Sequence, residues 1–204
     1  MLDNTKKWSK FYVSGIIGIC VYCILTWISA SYYPGSFGPM TDYLSVLGNS
    51  NLNPDGAIFY NLGVALTGFT LIPFYIGMYL TYGKPTGSKL ISIATVFGFL
   101  NCLSIILSAV FPEDAYELHF IWSLMIFLTW IPVLFLTNSF LFKKSGLIKW
   151  TSVYGLALAL FDTAFVMYVV LIGTSTGSIN EWITIFAFLG WIFLLTIAAI
   201  RKKT

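Results

Sequence analysis

The chain is a succession of long apolar runs separated by short polar segments. Runs at about 11–33, 57–82, 88–111, 118–142, 147–172 and 181–200 each approach or exceed the ~20 residues that cross ~30 Å of hydrocarbon at about 1.5 Å per residue. The pattern predicts an all-α fold: a polytopic transmembrane bundle of six helices forming a single domain over residues 1–204. No stretch is left for a separate soluble domain.

Polar residues inside the runs recur at helical spacing. Gly15, Gly18, Tyr22, Thr26 and Ser29 form one stripe on the first span, and Asn101, Ser104 and Ser108 form another on the third. Asn61 enters from the second span, and His119 and Ser123 from the fourth. Together they predict a polar cavity open at one end of the bundle; hydrogen bonding between helices is the alternative, with Ser14, Gly18, Ala94 and Gly98 permitting close approach. Pro73 and Pro132 lie inside spans and predict kinks.

The longest loop, FGPMTDYLSVLGNSNLNPDG, reads as a short helix capped by Thr41 or Asp42, with Tyr43, Leu44, Val46 and Leu47 as its apolar face and Gly48 at its end. It would lie on the bundle mouth or rest on headgroups. A second polar cluster, FPEDAYELH, sets the only histidine, His119, among Glu113, Asp114 and Glu117. His119 and Ser123 are four residues apart and share a helix face.

Asp162 stands near the middle of the fifth span in LALALFDTAFVMYVV, where a charged residue costs ~2.5–3.5 kcal/mol on insertion scales. With no Lys or Arg at that depth, it is expected to face the interior as a neutral acid bonded to Asn101, Tyr154 or Thr163, or to face water.

Charge orders the segments in space. All 11 Lys and Arg residues fall in segments on one side of the six-span reading, and Asp42, Asp55, Glu113, Asp114, Glu117 and Glu181 fall on the other. Asp3 and Asp162 are the exceptions. Short basic segments are retained in the cytoplasm, so both termini are expected inside, in the cell membrane. A chain that is 58% hydrophobic and 9% charged cannot cover a water-facing surface, since a soluble domain carries about 25% charge. The net charge of +3 belongs to lysines that meet anionic headgroups, and nucleic acid is not an expected partner. Trp8, Tyr32, Tyr33, Tyr82, Trp150 and Trp182 lie near span ends, where amphipathic rings favour the headgroup region.

The first run is longer than a signal-peptide core, so the Ile28-Ser29-Ala30 stretch is read as part of a retained span. Cys20, Cys23 and Cys102 lie within spans and imply no disulfide framework. Cys20 and Cys23 form a CxxC in an apolar setting that does not favour thiolate, and are expected to be small buried packing residues. A weak duplication relates Pro54 and Asn61 to Pro112 and His119, and Pro73 and Lys84 to Pro132 and Lys143. It predicts spans one and two to correspond to spans three and four.

The stretch DYLSVLGNSNLNPDGAIFYNLG followed by FPEDAYELH resembles the membrane proteins grouped as domain of unknown function 998, over nearly the whole chain. More distantly the chain is similar to the Frag1 and damage-regulated autophagy modulator type, some of whose relatives are tied to lipid remodelling. The resemblance implies a six-helix bundle and no established reaction. It marks Ser45, Leu47, Gly48, Pro54, Pro112 and His119 as family-like positions.

One histidine is too few for a histidine-rich zinc hydrolase site or a bis-histidine haem. No Walker, Rossmann or serine-hydrolase motif occurs. No cofactor is therefore expected, and an oxygen-only calcium site among the outer acids stays open. Three readings remain. The first is a non-catalytic binding or transport protein whose outward cavity takes a small molecule or lipid headgroup, with Asp42, Ser45, Asn61, Ser104, Ser108, His119, Ser123 and Asp162 as its candidate residues. The second is a metal-independent enzyme using His119 with Glu117 or Asp114 as general acid and base. The third is a structural or regulatory partner of another membrane protein.

Overall fold

The computed structural model describes residues 3–173 and 177–201, with side chains from Lys10 onward. The side chains of Lys6, Lys7 and Trp8, and Lys202 and Lys203 altogether, lie outside what it describes. Six helices carry the chain: α1 (Asp3–Tyr32), α2 (Ala57–Met78), α3 (Lys89–Val110), α4 (Tyr116–Leu141), α5 (Leu147–Ile172) and α6 (Ser178–Arg201). Their segments Lys10–Tyr32, Ala57–Gly83, Lys89–Val110, Glu113–Leu141, Leu147–Ile172 and Ser178–Arg201 are long and apolar enough to cross a membrane, so the surrounding medium is a lipid bilayer. Pro73 and Pro132 sit inside α2 and α4 without ending either helix. A single π-type turn, Tyr79–Gly83, extends α2.

Each helix packs on the next in sequence, and α6 returns to α1, closing the set into a ring. The ring is filled along its basic half. Tyr12, Phe74, Tyr75, Met78, Leu134 and Trp191 are at most 1% exposed there. Their size matters because lipid is as apolar as the core, and helix association then depends on close packing and interhelical hydrogen bonds. Asn138 supplies one such bond, its Oδ1 accepting from Trp191 Nε1 of α6 at 3.0 Å, while its Nδ2 donates within α4 to Leu134 O at 2.6 Å. Gly155 on α5 faces this amide so closely that a Cβ would collide with it.

The stripe of Gly15, Gly18, Tyr22, Thr26 and Ser29 is buried, as are Asn101, Ser104 and Ser108. Outward positions are large and apolar, including Trp27, Ile58, Leu160 and Leu171. Cys20 and Cys23 are exposed on this outer face, not buried packing residues, while Cys102 is buried. One turn of α1 separates the two, so the face that carries one carries the other. Tyr82 is 2% exposed, and Trp182 is partly buried with its indole N–H on a loop carbonyl, so both rings pack on protein near the span ends.

Candidate functional site

The segment between α1 and α2 lies across the acidic end of the ring. Its short helix is a 3₁₀ turn, Leu44–Gly48, with Leu44 and Leu47 fully buried. Asp42 and Thr41 do not cap it. The Asp42 carboxylate instead accepts from Gly38 N at 3.1 Å and Thr41 Oγ1 at 2.5 Å, folding the turn that precedes it.

Long-range hydrogen bonds hold this segment on three sides. Toward α6, Leu44 N donates to Glu181 Oε2 at 2.6 Å, Trp182 Nε1 to Asp42 O at 2.9 Å, and Ser178 Oγ to Pro39 O at 3.1 Å. The Tyr43 hydroxyl accepts from Gly177 N at 3.0 Å. Burial raises the Tyr43 pKa above its ordinary value, a shift partly opposed by this bond. Toward the α3–α4 turn, Asn49 Nδ2 donates to Glu113 Oε2 at 2.6 Å, and Ser50 N and Oγ donate to Asp114 at 2.8 and 2.5 Å. Toward α1 and α2, fully buried Asn53 donates to Ser29 and Leu47, and Asn61 Nδ2 to Gly48 O at 2.9 Å.

Beneath it, His119 is set by the end of α3. In a helix the Ser108 carbonyl would accept from residue 112, but that residue is proline and has no N–H. His119 Nδ1 replaces the donor, 3.3 Å from Ser108 O and 2.9 Å from Phe111 O. Both partners are carbonyl oxygens that only accept, so in the neutral ring Nδ1 carries the proton and Nε2 the lone pair. Nε2 lies 3.0 Å from Ser123 Oγ, whose hydroxyl therefore donates to it.

Two cavities of about 70 and 110 Å³ meet at this pair. Ser45, His119, Ser123, Phe127 and Glu181 line both. Asn61, Ser108, Trp130 and Phe188 also line the first. These two rings stack with centroids 4.1 Å apart, and Trp130 Nε1 donates to Asn101 Oδ1 at 3.0 Å. The second is lined from α4 and α5 by residues that include Phe120, Leu124, Phe165, Val166 and Val169, with Tyr43, Tyr116 and Glu113 also on its wall. Each has room for several water-sized groups.

Of the residues expected to form a site, Ser45, Asn61, Ser108, His119 and Ser123 line the first cavity. Asp42 lies outside it, in its own turn. Ser104 bonds back to Leu100 O within α3. Glu117 is exposed and Asp114 is held by Ser50, so neither carboxylate partners His119, whose ring contacts backbone carbonyls and a serine. The outer acids are likewise dispersed among Gly38, Asn49, Ser50 and Leu44. Asp162 is fully buried, away from both cavities, and its carboxylate has no hydrogen-bond partner among the described residues. The three partners expected for it are engaged elsewhere: Asn101 with Ile126, Thr129 and Trp130, Tyr154 with Ala187 O, and Thr163 with Ala159 O.

Glu181 is the site residue that sequence reasoning missed. It was legible as an outer charge, but its partner Leu44 lies 137 residues away, and no local pattern announces such a contact. Asn53, just before Pro54, was hidden in the same way: it is fully buried.

A ring of six helices long and apolar enough to span a bilayer, strapped at one end by the segment between the first two, defines a polytopic membrane-protein fold. The chain belongs to the DUF998 family, described as a protein of unknown function, whose model matches residues 16–198. No curated protein and no solved structure matches it.

Proposed function

We propose that this protein binds an amphiphile at its acidic end, with the headgroup among Ser45, Asn61, His119, Ser123 and Glu181. The observation that carries this reading is the shared cavity wall, where a few polar groups converge above an apolar interior. Small-molecule sites have this composition: mostly apolar lining with a small number of placed polar groups. The carboxyl side chains on the lining are Glu113 and Glu181, and Tyr43 and Tyr116 stand beside them. Carboxylates and aromatic faces suit an ammonium group, so a single-chain amphiphile with a zwitterionic headgroup is the favoured ligand. Asp42, Ser104 and Asp162 take no part in this form of the site.

Binding is favoured over transport because the first cavity is blocked below. Trp130 stacks on Phe188, and the core beneath them is packed with Phe74, Leu134 and Trp191. The acidic end faces outward and both termini are cytoplasmic in a cell membrane, on the strength of the basic segments at the opposite end.

The test is native mass spectrometry of the full chain released from nanodiscs with lysophosphatidylcholine. One lipid retained per chain is expected, with weaker retention of the anionic lysophosphatidylglycerol. Val64→Phe, which fills the first cavity from α2, should lower retention while the protein remains folded. Equal retention by the filled variant and the wild type, or equal retention of both lipids, contradicts the proposed site or its headgroup preference respectively.

A further inference from the structure

Hydroxyls on these helices mostly turn back on their own backbone. Ser104 donates to Leu100 O at 2.9 Å, Ser108 to Ile105 O at 2.9 Å, Thr129 to Met125 O at 2.7 Å, Ser152 to Ile148 O at 2.7 Å and Thr163 to Ala159 O at 2.7 Å. This is the default for a hydroxyl in a helix surrounded by apolar groups. Ser123 departs from it. Its Oγ is 3.0 Å from His119 Nε2, and both side chains line both cavities.

Three features of a serine activated by a base are therefore together. The nucleophile is within hydrogen-bond reach of a histidine nitrogen. The other ring nitrogen is fixed by Phe111 O at 2.9 Å, which orients the imidazole and sets its tautomer, a role a carboxylate fills in other serine sites. The pair also faces space that a substrate could occupy, with Ser45 and Asn61 on the same wall.

We propose that Ser123 is a nucleophile and His119 its general base, for acyl transfer from a carboxylic ester of the amphiphile bound in the cavity. This activity rests on the binding reading above. Ser123 Oγ bonds to the ester carbonyl carbon as its proton passes to His119 Nε2. The tetrahedral adduct then collapses with cleavage of the ester C–O bond, and the leaving alkoxide takes the proton from Nε2 to depart as an alcohol. The acyl group is left on Ser123 Oγ. Water or a second alcohol enters by the same steps reversed, giving up its proton to Nε2, taking the acyl group and restoring the Ser123 hydroxyl. No atom changes oxidation state, so the step needs no oxidant or reductant. Ser45 and Asn61, with a hydroxyl and an amide on the cavity wall, are the side chains available to donate to the developing oxyanion.

The test is labelling of the full chain in nanodiscs with a decyl fluorophosphonate, read by peptide mass spectrometry, in parallel with lysophosphatidylcholine retention. The wild type should carry the phosphonyl group on Ser123. Ser123→Ala should carry none. His119→Asn keeps an N–H for the α3 terminus but has no imidazole, and should label at least about 100-fold more slowly, the lower end of what a positioned base contributes. A wild type that retains lipid but is not labelled at Ser123 overturns the nucleophile and leaves the binding reading standing. A wild type that neither retains lipid nor labels overturns both. Labelling of Ser123 at an unchanged rate in His119→Asn overturns the base.

Discussion

Asn53 is the residue through which the strap over the site is most exposed to a single substitution. It is fully buried, and its Nδ2 lies 3.0 Å from Leu47 O, 3.0 Å from Ser29 Oγ and 3.2 Å from Ser29 O. Asn53→Ala removes a donor with two protons from a place water does not reach. Leu47 O keeps a weak donor, Ser29 Oγ at 3.3 Å, so it is not wholly stranded. Two lost bonds at ~1 kcal/mol each, with some further loss from the vacated space, give a cost of about 2–3 kcal/mol. For a chain of 204 residues that is a fall in melting temperature of about 4–12 °C. Asn53→Asp should cost more, since a carboxylate only accepts and would face three oxygens. Intrinsic tryptophan fluorescence during thermal unfolding in detergent reads both variants. Exposed Asn51→Ala is the control and should shift by less than ~0.5 kcal/mol. An Asn53→Ala protein that melts with the wild type, or an Asp variant as stable as it, would refute the view that this amide holds the strap.

Other substitutions probe the bundle itself. Gly155→Ala should destabilise by about 1–2 kcal/mol in the same assay, because the new Cβ displaces the Asn138 amide from Trp191; an unchanged melting temperature contradicts this. Asp162→Leu should be at least as stable as the wild type, since the carboxylate has no described hydrogen-bond partner to strand and burying an unbonded polar group is unfavourable. A large loss of stability in Asp162→Leu would reveal a partner or a bound proton donor there. For orientation, cysteines replacing exposed Asp55 should react with an impermeant maleimide added outside cells, and those replacing exposed Lys84 or Lys149 should not, in a cysteine-free background. The reverse labelling would invert the proposed topology.

The six spans were legible because their signal is local. Apolar length and a polar stripe at helical spacing are read within a single segment, and Gly15, Gly18, Tyr22, Thr26 and Ser29 face inward as their spacing implies. His119 and Ser123 were legible as a pair for the same reason, one helical turn apart. What His119 meets was not. Asp114, near in sequence, is held by Ser50, Glu117 is exposed, and the nearest partner of His119 is the carbonyl of Phe111, just past the end of α3. The strap was the least legible part. Its contacts run to Glu113, Glu181 and Ser29, 24 to 137 positions away, and nothing within the loop encodes them. Asp162 shows the opposite limit: its burial was readable from the apolar run, but the lack of a described partner follows from where Asn101, Tyr154 and Thr163 direct their own bonds.

The most direct measurement of the central claim is photo-crosslinking in nanodiscs with a lysophosphatidylcholine that carries a diazirine on its acyl chain, followed by peptide mapping. Occupancy of the cavity predicts adducts concentrated on its apolar lining, at Phe127, Trp130, Phe165, Val166 and Phe188, and their loss on competition with unlabelled lipid. Adducts confined to outward residues such as Trp27, Leu160 and Leu171, unaffected by competitor, would show an amphiphile that surrounds the bundle without entering it, and would contradict the account.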